Sequence, residues 1–436
     1  MIVLTRRFWF WLALGIPLAL AGAFVPGLER LVWPYNIGLI ALTIATKFWA
    51  GNPKFLRTDR VFDPLLSNRV ENAVELTLIN EGSQRVSGRL IDEVPVGFMA
   101  EDTTWRFSLA PGESAHFLYE VIPTQRGEFK FRDTFVRLNA PLGLCEVDAK
   151  LPLPQVARVY PNLKAVQKFD LLNRRGRGIL GVRRTRYRGI GTEFESLREY
   201  VPDDDFRRID WKASARMNKF VIREYELEKN QSVILLIDVG KNMMADVQNS
   251  TKLDHVLDSA LLLMHAANVA GDQVGLMVFS DRVHKYIPPK RGSSHMRQLL
   301  DAIHDLRAIP TEADYSGALH ALAAQWRRRA LVVMFTDSEN KEQAQMLAAA
   351  IAPQRHRHLW FIARVKDPRL DELELVPITN ERKLYDRAAL SWYREDRNVA
   401  LKVLEHQRID IVEAEPETLS NALVSAYIDA KRRALI

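Results

Sequence analysis

SVILLID, residues 232–238, is an unbroken apolar run of strand length that ends in an acid. Such a run fits a strand buried on both faces. Downstream, Leu253, Val256, Leu257, Ala260, Leu261 and Met264 recur at helical spacing. QVGLMVFS (273–280) is a second strand, and Val283–Ile287 a candidate hairpin partner at a sheet edge. Helical patterns over 294–307, 315–328, 388–406 and 417–432 alternate with strand patterns at Leu331–Phe335, Leu359–Ala363 and Ile409–Val412. The alternation predicts a doubly wound α/β domain over 231–436, with a mostly parallel sheet. Ligands of such sheets bind beyond the carboxyl ends of the strands. Asp238 and Asp337 fall at those ends.

Residues 56–160 read differently. Val74-Glu75-Leu76-Thr77-Leu78, Trp105-Arg106-Phe107-Ser108-Leu109 and Phe129-Lys130-Phe131-Arg132 alternate apolar and polar. Asn80-Glu81-Gly82-Ser83, Ala110-Pro111-Gly112-Glu113 and Arg126-Gly127-Glu128 punctuate them. The pattern predicts an antiparallel, immunoglobulin-like β-sandwich of roughly seven strands.

The first 55 residues predict a transmembrane helical hairpin, with spans at about 8–27 and 31–50. FWFWLALGIPLALAGAFV (8–25) has no charge, and a second uncharged run goes from Leu31 to Thr46. Trp9, Trp11, Trp33 and Trp49 sit near the ends, as interfacial anchors do. Arg6, Arg7, Lys47, Lys54, Arg57 and Arg60 flank the pair, whereas the intervening turn balances Glu29 with Arg30. The positive-inside rule then places both termini and the body in the cytoplasm, on the inner membrane. A cleaved signal peptide ending near Ala21-Gly22-Ala23 is the competing reading.

Over the whole 436 residues, 47% apolar and 26% charged composition excludes disordered, collagen-like and coiled-coil classes. One cysteine, Cys145, excludes a disulfide framework and any cysteine-based metal centre. The net charge of +7 equals that of one strip, residues 171–190, which holds Arg174, Arg175, Arg177, Arg183, Arg184, Arg186 and Arg188 and no acid. The strip suits pairing with acids that follow it, an anionic lipid or protein partner, or nucleic-acid phosphates. With Tyr187 its only aromatic, it lacks the stacking platforms of a single-strand binder, and no specific nucleic acid is expected.

The rest of the connector, 161–230, is dense in charge and aromatics. Phe194, Tyr200, Phe206, Trp211, Phe220 and Tyr225 represent aromatic area that is expected to be buried. The runs Gly191-Thr192-Glu193-Phe194, Leu197-Arg198-Glu199-Tyr200, Asp204-Asp205, Arg208-Ile209-Asp210-Trp211-Lys212-Ala213-Ser214-Ala215-Arg216 and Arg223-Glu224-Tyr225-Glu226 resemble the signature of the domain-of-unknown-function 58 family. Asp203 departs from it, standing where a glycine is usual before the acid pair. The resemblance extends to the family's layout of membrane hairpin, β-rich region, signature motif and von Willebrand A-like domain, and so to nearly the whole chain. It implies a MoxR-type AAA+ ATPase as partner.

The von Willebrand A resemblance also implies a metal-dependent adhesion site, with a first loop of Asp-x-Ser-x-Ser, a Thr from a second loop and an Asp from a third. A Mg²⁺ ion suits such oxygen ligands. Here Asp238 matches, Gly240 replaces the first serine and Asn242 the second. Thr311 or Asp314 is available in the second loop and Asp337 in the third, with Ser338 beside it. The site is degenerate: either Asp238, Asn242, Thr311, Asp314 and Asp337 hold Mg²⁺, or the acids cap helices and pair with Lys241.

No phosphate loop, HExxH, G-x-S-x-G or dinucleotide fingerprint occurs. The first expectation is therefore a non-enzymatic, membrane-anchored scaffold, an adaptor of the ATPase in assembly or maturation of other proteins. The alternatives are a Mg²⁺-dependent hydrolase at Asp238 and Asp337, or a basic lipid- or nucleic-acid-binding protein acting through Arg174–Arg188.

Overall fold

The computed structural model describes residues 2–21, 24, 28–174, 193–201, 206, 209–226, 231–338, 340–375, 377–407 and 409–433. They form two compact units, 1–160 and 161–436.

The first unit opens with β1 (Ile2–Leu4), α1 (Arg6–Ala13), α2 (Gly15–Ala21) and α3 (Val32–Trp49). The expected pair of membrane spans is corrected here: among the described residues, no helix is long and apolar enough to cross a membrane. The first apolar run breaks at Leu14 into helices of 8 and 7 residues, about 12 and 10 Å long at 1.5 Å per residue. A span needs about 20 predominantly apolar residues. The 18 residues of α3 include Pro34, Tyr35, Asn36 and Lys47, which dilute its apolar character. Inner-membrane localisation, two-span topology and cytoplasmic orientation all rested on those spans and fall with them.

Eleven more strands follow: β2 (Leu56–Phe62), β3 (Leu65–Ser67), β4 (Asn72–Asn80), β5 (Val86–Asp92), β6 (Phe98–Ala100), β7 (Thr104–Leu109), β8 (Ser114–Pro123), β9 (Gly127–Phe131), β10 (Thr134–Asn139), β11 (Cys145–Leu151) and β12 (Gln155–Tyr160). They make sheets of order β1-β11-β10-β5-β7, β2-β4-β8-β6 and β3-β12-β9. Period-two patterning sets the faces: in β4, Val74, Leu76 and Leu78 are fully buried, while Glu75 and Thr77 alternate with them at the surface or half-buried. They share one core with Leu90, Val121, Phe131 and Leu138. The N-terminus is woven into this unit. Ile2 pairs with Val147 across the β1–β11 ladder, Thr5 N–H donates to the Leu144 carbonyl at 3.2 Å, and Phe8, Leu39 and Leu144 pack together. Inside the core, Arg60 Nε donates to Asp92 Oδ2 at 3.0 Å, and the Tyr119 hydroxyl donates to the same carboxylate.

The second unit begins with α4 (Leu163–Arg174), then β13 (Glu193–Glu199), α5 (Trp211–Met217) and β14 (Val221–Glu226). The α/β domain proper follows: β15 (Ser232–Asp238), the two-residue β16 (Asp246–Val247) and β17 (Ser250–Thr251), α6 (Lys252–Val269), β18 (Gln273–Phe279), β19 (Val283–Lys290), α7 (Ser293–Ile303), α8 (Tyr315–Gln325), β20 (Leu331–Phe335), α9 (Lys341–Ile351), β21 (Leu359–Val365), α10 (Arg369–Leu375), α11 (Glu381–His406), β22 (Asp410–Ala414) and α12 (Pro416–Arg432). Its sheet runs β19-β18-β15-β20-β21-β22. Only the edge strand β19 is antiparallel to its neighbour. Alternate residues of β15 feed opposite layers. Val233, Leu235 and Ile237 meet α6, α7 and α12, and Ile234 and Leu236 meet α8, α9 and α11. Burial on both faces is why this strand reads as an unbroken apolar run.

Candidate functional site

Asp238 ends β15, and Asp337 lies just past β20, so neighbouring parallel strands bring the two acids together. Both are 2% exposed. The loops around them are stitched to one another by backbone. Lys241 N–H donates to the Thr311 carbonyl at 2.8 Å, Ile309 N–H to the Val239 carbonyl at 2.7 Å, and Asp314 N–H to the Ser280 carbonyl at 2.7 Å.

The Asp238 carboxylate accepts from Gly240 N–H at 2.7 Å and from the Thr336 hydroxyl at 2.6 Å. Burial, with the negative Asp337 nearby, pushes it up to about 6 despite those two bonds. Asp337 is held by two cations. Lys252 Nζ, from the first turn of α6, donates to Oδ2 at 2.6 Å. Arg364, near the carboxyl end of β21, donates to Oδ1 through Nη2 at 2.7 Å and Nε at 3.1 Å. Burial works against charge on Asp337, but Arg364 and Lys252 outweigh it and hold this carboxyl well below the usual carboxylate range. Arg364 also donates to the Ser338 carbonyl at 2.9 Å, and its Nε lies 4.0 Å from Glu413, which Arg397 in turn pairs.

The other residues singled out in the sequence take different places. Asn242 turns its Nδ2 to the Asp337 carbonyl at 2.7 Å and to Gln343 Oε1 at 3.2 Å. Asp314 is exposed and caps α8, accepting from Gly317 N–H at 2.9 Å. The Thr311 and Ser338 hydroxyl oxygens are buried without a hydrogen-bond partner. Lys241 does not reach the acids; it pairs with Glu312 at the surface. Lys252, Arg364 and Thr336 were not among the residues picked out. A signal was available for the cations: Arg364 interrupts the apolar strand LWFIARV, and a charge in a buried strand requires a partner.

The β13–α5–β14 module presents a second feature. Its strands form an antiparallel ladder, from Glu193 opposite Glu226 to Glu199 opposite Val221. Asp210 caps α5, accepting from Lys212 N–H and Ala213 N–H at 3.0 Å each. Asn218 then ends the helix in the left-handed region at φ 51°. This return carries Phe220 back past Trp211. The Phe206 and Trp211 rings meet edge-on at 5.5 Å, and those of Trp211 and Phe220 at 6.2 Å. Three of the six aromatics expected to be buried are not. Phe206, Trp211 and Phe220 are 62%, 56% and 59% exposed, and Met217 beside them is 51% exposed. The arginine strip beyond Arg174 lies outside the described residues.

Residues 196–384 match the family model described as "Protein of unknown function DUF58". The chain is 26% identical over 187 residues to an uncharacterized protein of Mycobacterium tuberculosis, a match covering 42% of this chain and 58% of that protein. It is 27% identical over 185 residues to an uncharacterized protein of Bacillus subtilis, covering 42% and 43%. The chain thus spans about half the length of these relatives. Among solved structures, BatB from Bacteroides thetaiotaomicron aligns at 17% identity and a TM-score of 0.32, over 46% of this chain and 98% of that one. The match to the family model covers most of the signature segment and part of the α/β domain. None of these relatives is described as binding an ATPase or a bilayer, so both expected partners, and the adaptor role that depended on them, are withdrawn. At the two acids of the hydrolase alternative, Asp238 accepts from neutral donors and Asp337 from two cations.

Proposed function

We propose that the protein is a non-enzymatic interaction module whose docking surface is the aromatic face of β13–α5–β14. The observation that carries this reading is the mutual contact of Phe206, Trp211 and Phe220 while more than half of each residue stays exposed. Rings clustered this way gain far more from burial on binding than scattered ones. Tryptophan is also enriched among residues that dominate binding energy. Lys212 and Arg216, one turn apart and both exposed, lie on α5 with Trp211. Their charge favours an apolar protein segment bearing carboxylates.

The test places a photo-crosslinking phenylalanine analogue at position 211 of the full chain. One discrete protein adduct is expected, weakened by Phe220→Ala and by Lys212→Glu. The same analogue at Trp392, which is 78% exposed on α11, should give no such adduct. Trp211→Ala itself should change folding stability by less than about 1 kcal/mol, the scale of a surface substitution. Equal adducts at both positions, or none at 211, would refute this assignment.

A further inference from the structure

We infer that Lys252, seconded by Arg364, is the resident cation of the strand-end site, standing where a von Willebrand A-like domain would carry a divalent ion, and that this face works without metal. Three features carry the inference together, the charge of Lys252 foremost.

The first is charge. Asp238 and Asp337 are matched by Lys252 and Arg364, all within 5% exposure. Adding a dication to a buried cluster already neutral in formal charge would leave two uncompensated positive charges away from water. Both oxygens of Asp337, moreover, are already taken by N–H donors, at 2.6 and 2.7 Å.

The second is space. A Cβ built on Gly240 would lie 2.8 Å from the Thr311 carbonyl oxygen and 3.0 Å from Asp238 Oδ1. The glycine in place of a serine does more than remove a ligand. It lets the first loop close onto the second, a contact sealed by the Lys241 N–H bond to Thr311.

The third is polarity. Asn242 meets the third loop with its amide nitrogen, a donor, and a donor does not ligate a cation. The residues present therefore do not fit Mg²⁺. The two hydroxyls without partners, on Thr311 and Ser338, are the oxygens left over at such a site.

The experiment titrates the full chain with Mn²⁺, followed by calorimetry and by the electron paramagnetic resonance signal of free Mn²⁺. Thermal midpoints are measured with Mg²⁺ and with a chelator. Wild type is expected to show no saturable Mn²⁺ binding and no midpoint shift with either reagent. Lys252→Ala removes the resident cation and bares Asp337 Oδ2, so it should acquire one Mn²⁺ site and a midpoint that rises with Mg²⁺. Lys252→Met keeps most of the stem and offers Asp337 no donor; it serves if the alanine variant does not fold, and should bind Mn²⁺ as well. Single-site Mn²⁺ binding by wild type that Asp337→Asn abolishes would overturn the inference. So would the failure of both Lys252 variants to bind, since the lysine would then not stand in an ion's place. Neither result bears on the aromatic docking face, whose readout is the crosslink at 211.

Discussion

Replacing Lys252 by methionine keeps most of the aliphatic stem and removes the charge that meets Asp337. The Nζ–Oδ2 distance is 2.6 Å, and the two side chains are 6% and 3% exposed. At that separation and an effective dielectric near 20, the direct attraction is about 6 kcal/mol. Desolvating the ammonium offsets part of it, and breaking a buried pair by removing one partner costs about 3–5 kcal/mol. Arg364 still holds Oδ1, so the lower end, about 3 kcal/mol, is expected. For a unit of this size that corresponds to a fall of roughly 6–12 °C in midpoint. The sign of the pH dependence follows from the depressed Asp337 carboxyl. Its contribution is complete above its unfolded value, near 4, and is lost as pH falls below that toward the folded value. The difference between variant and wild type should therefore be constant from pH 5 to 8 and shrink in stronger acid. Calorimetry gives the midpoint. Hydrogen exchange of peptides from β15 and β20 in the intact protein assigns the loss to this sheet. A cost below about 1 kcal/mol would refute the reasoning, because a pair worth that little behaves as a solvent-screened one.

Asp238 should behave in the opposite sense. Its carboxyl is raised to about 6 from 3.8, so the folded state keeps its proton while the unfolded chain ionises. Stability should fall as pH rises from about 4 to 6, by up to about 3 kcal/mol, and then level off. Asp238→Asn should erase that slope and stabilise the protein at pH 7.5, as measured by denaturant midpoints at pH 4.5 and 7.5; destabilisation at pH 7.5 would count against it. In the first unit, Arg60 is the buried partner of Asp92 and also donates to the Leu153 and Arg132 carbonyls at 3.1 and 3.2 Å. Arg60→Met should cost about 3–5 kcal/mol, with exchange accelerating in β2 and β5; an unchanged exchange pattern would contradict that placement.

How far the sequence discloses this structure depends on whether the cause of each feature is local. Val74–Leu78 alternates because one face of β4 packs inward, and SVILLID is unbroken because β15 is covered on both faces. Those causes lie within the segment and can be read there. Val283–Ile287 likewise reads as an edge strand, and Lys285, Pro288, Pro289 and Lys290 suit an unpaired edge. The N-terminal runs misled because apolar content records the need for burial, not the length of helix that achieves it. The break at Leu14 and the pairing of Ile2 with Val147 are not composition effects. The site was half legible: the strand ends announce Asp238 and Asp337, but Lys252 meets Asp337 across 85 residues of chain. The connector's aromatics carried no signal of which way they face. Counting rings gives area, and only the turn at Asn218 sets Phe220 beside Trp211 outside the core.

The ion networks recur in a common form that bears on what the fold is built to do. Arg60, Asp92 and Tyr119 join β2, β5 and β8. Lys431 and Tyr427 of α12 hold Asp272, in the turn between α6 and β18, with Lys431 Nζ at 2.7 Å from both carboxylate oxygens. Lys252 and Arg364 join α6 and β21 to the end of β20 at Asp337. In each, an acid is matched by cations from elements distant in sequence. Buried pairs of this kind add little net stability compared with apolar packing, but misplacing one partner is costly. Their effect is therefore on register: each permits one arrangement of the elements it joins. A scaffold fixed this way suits a protein whose function lies in presenting a surface, and in the second unit the clustered exposed rings of Phe206, Trp211 and Phe220 form a surface that gains from being covered.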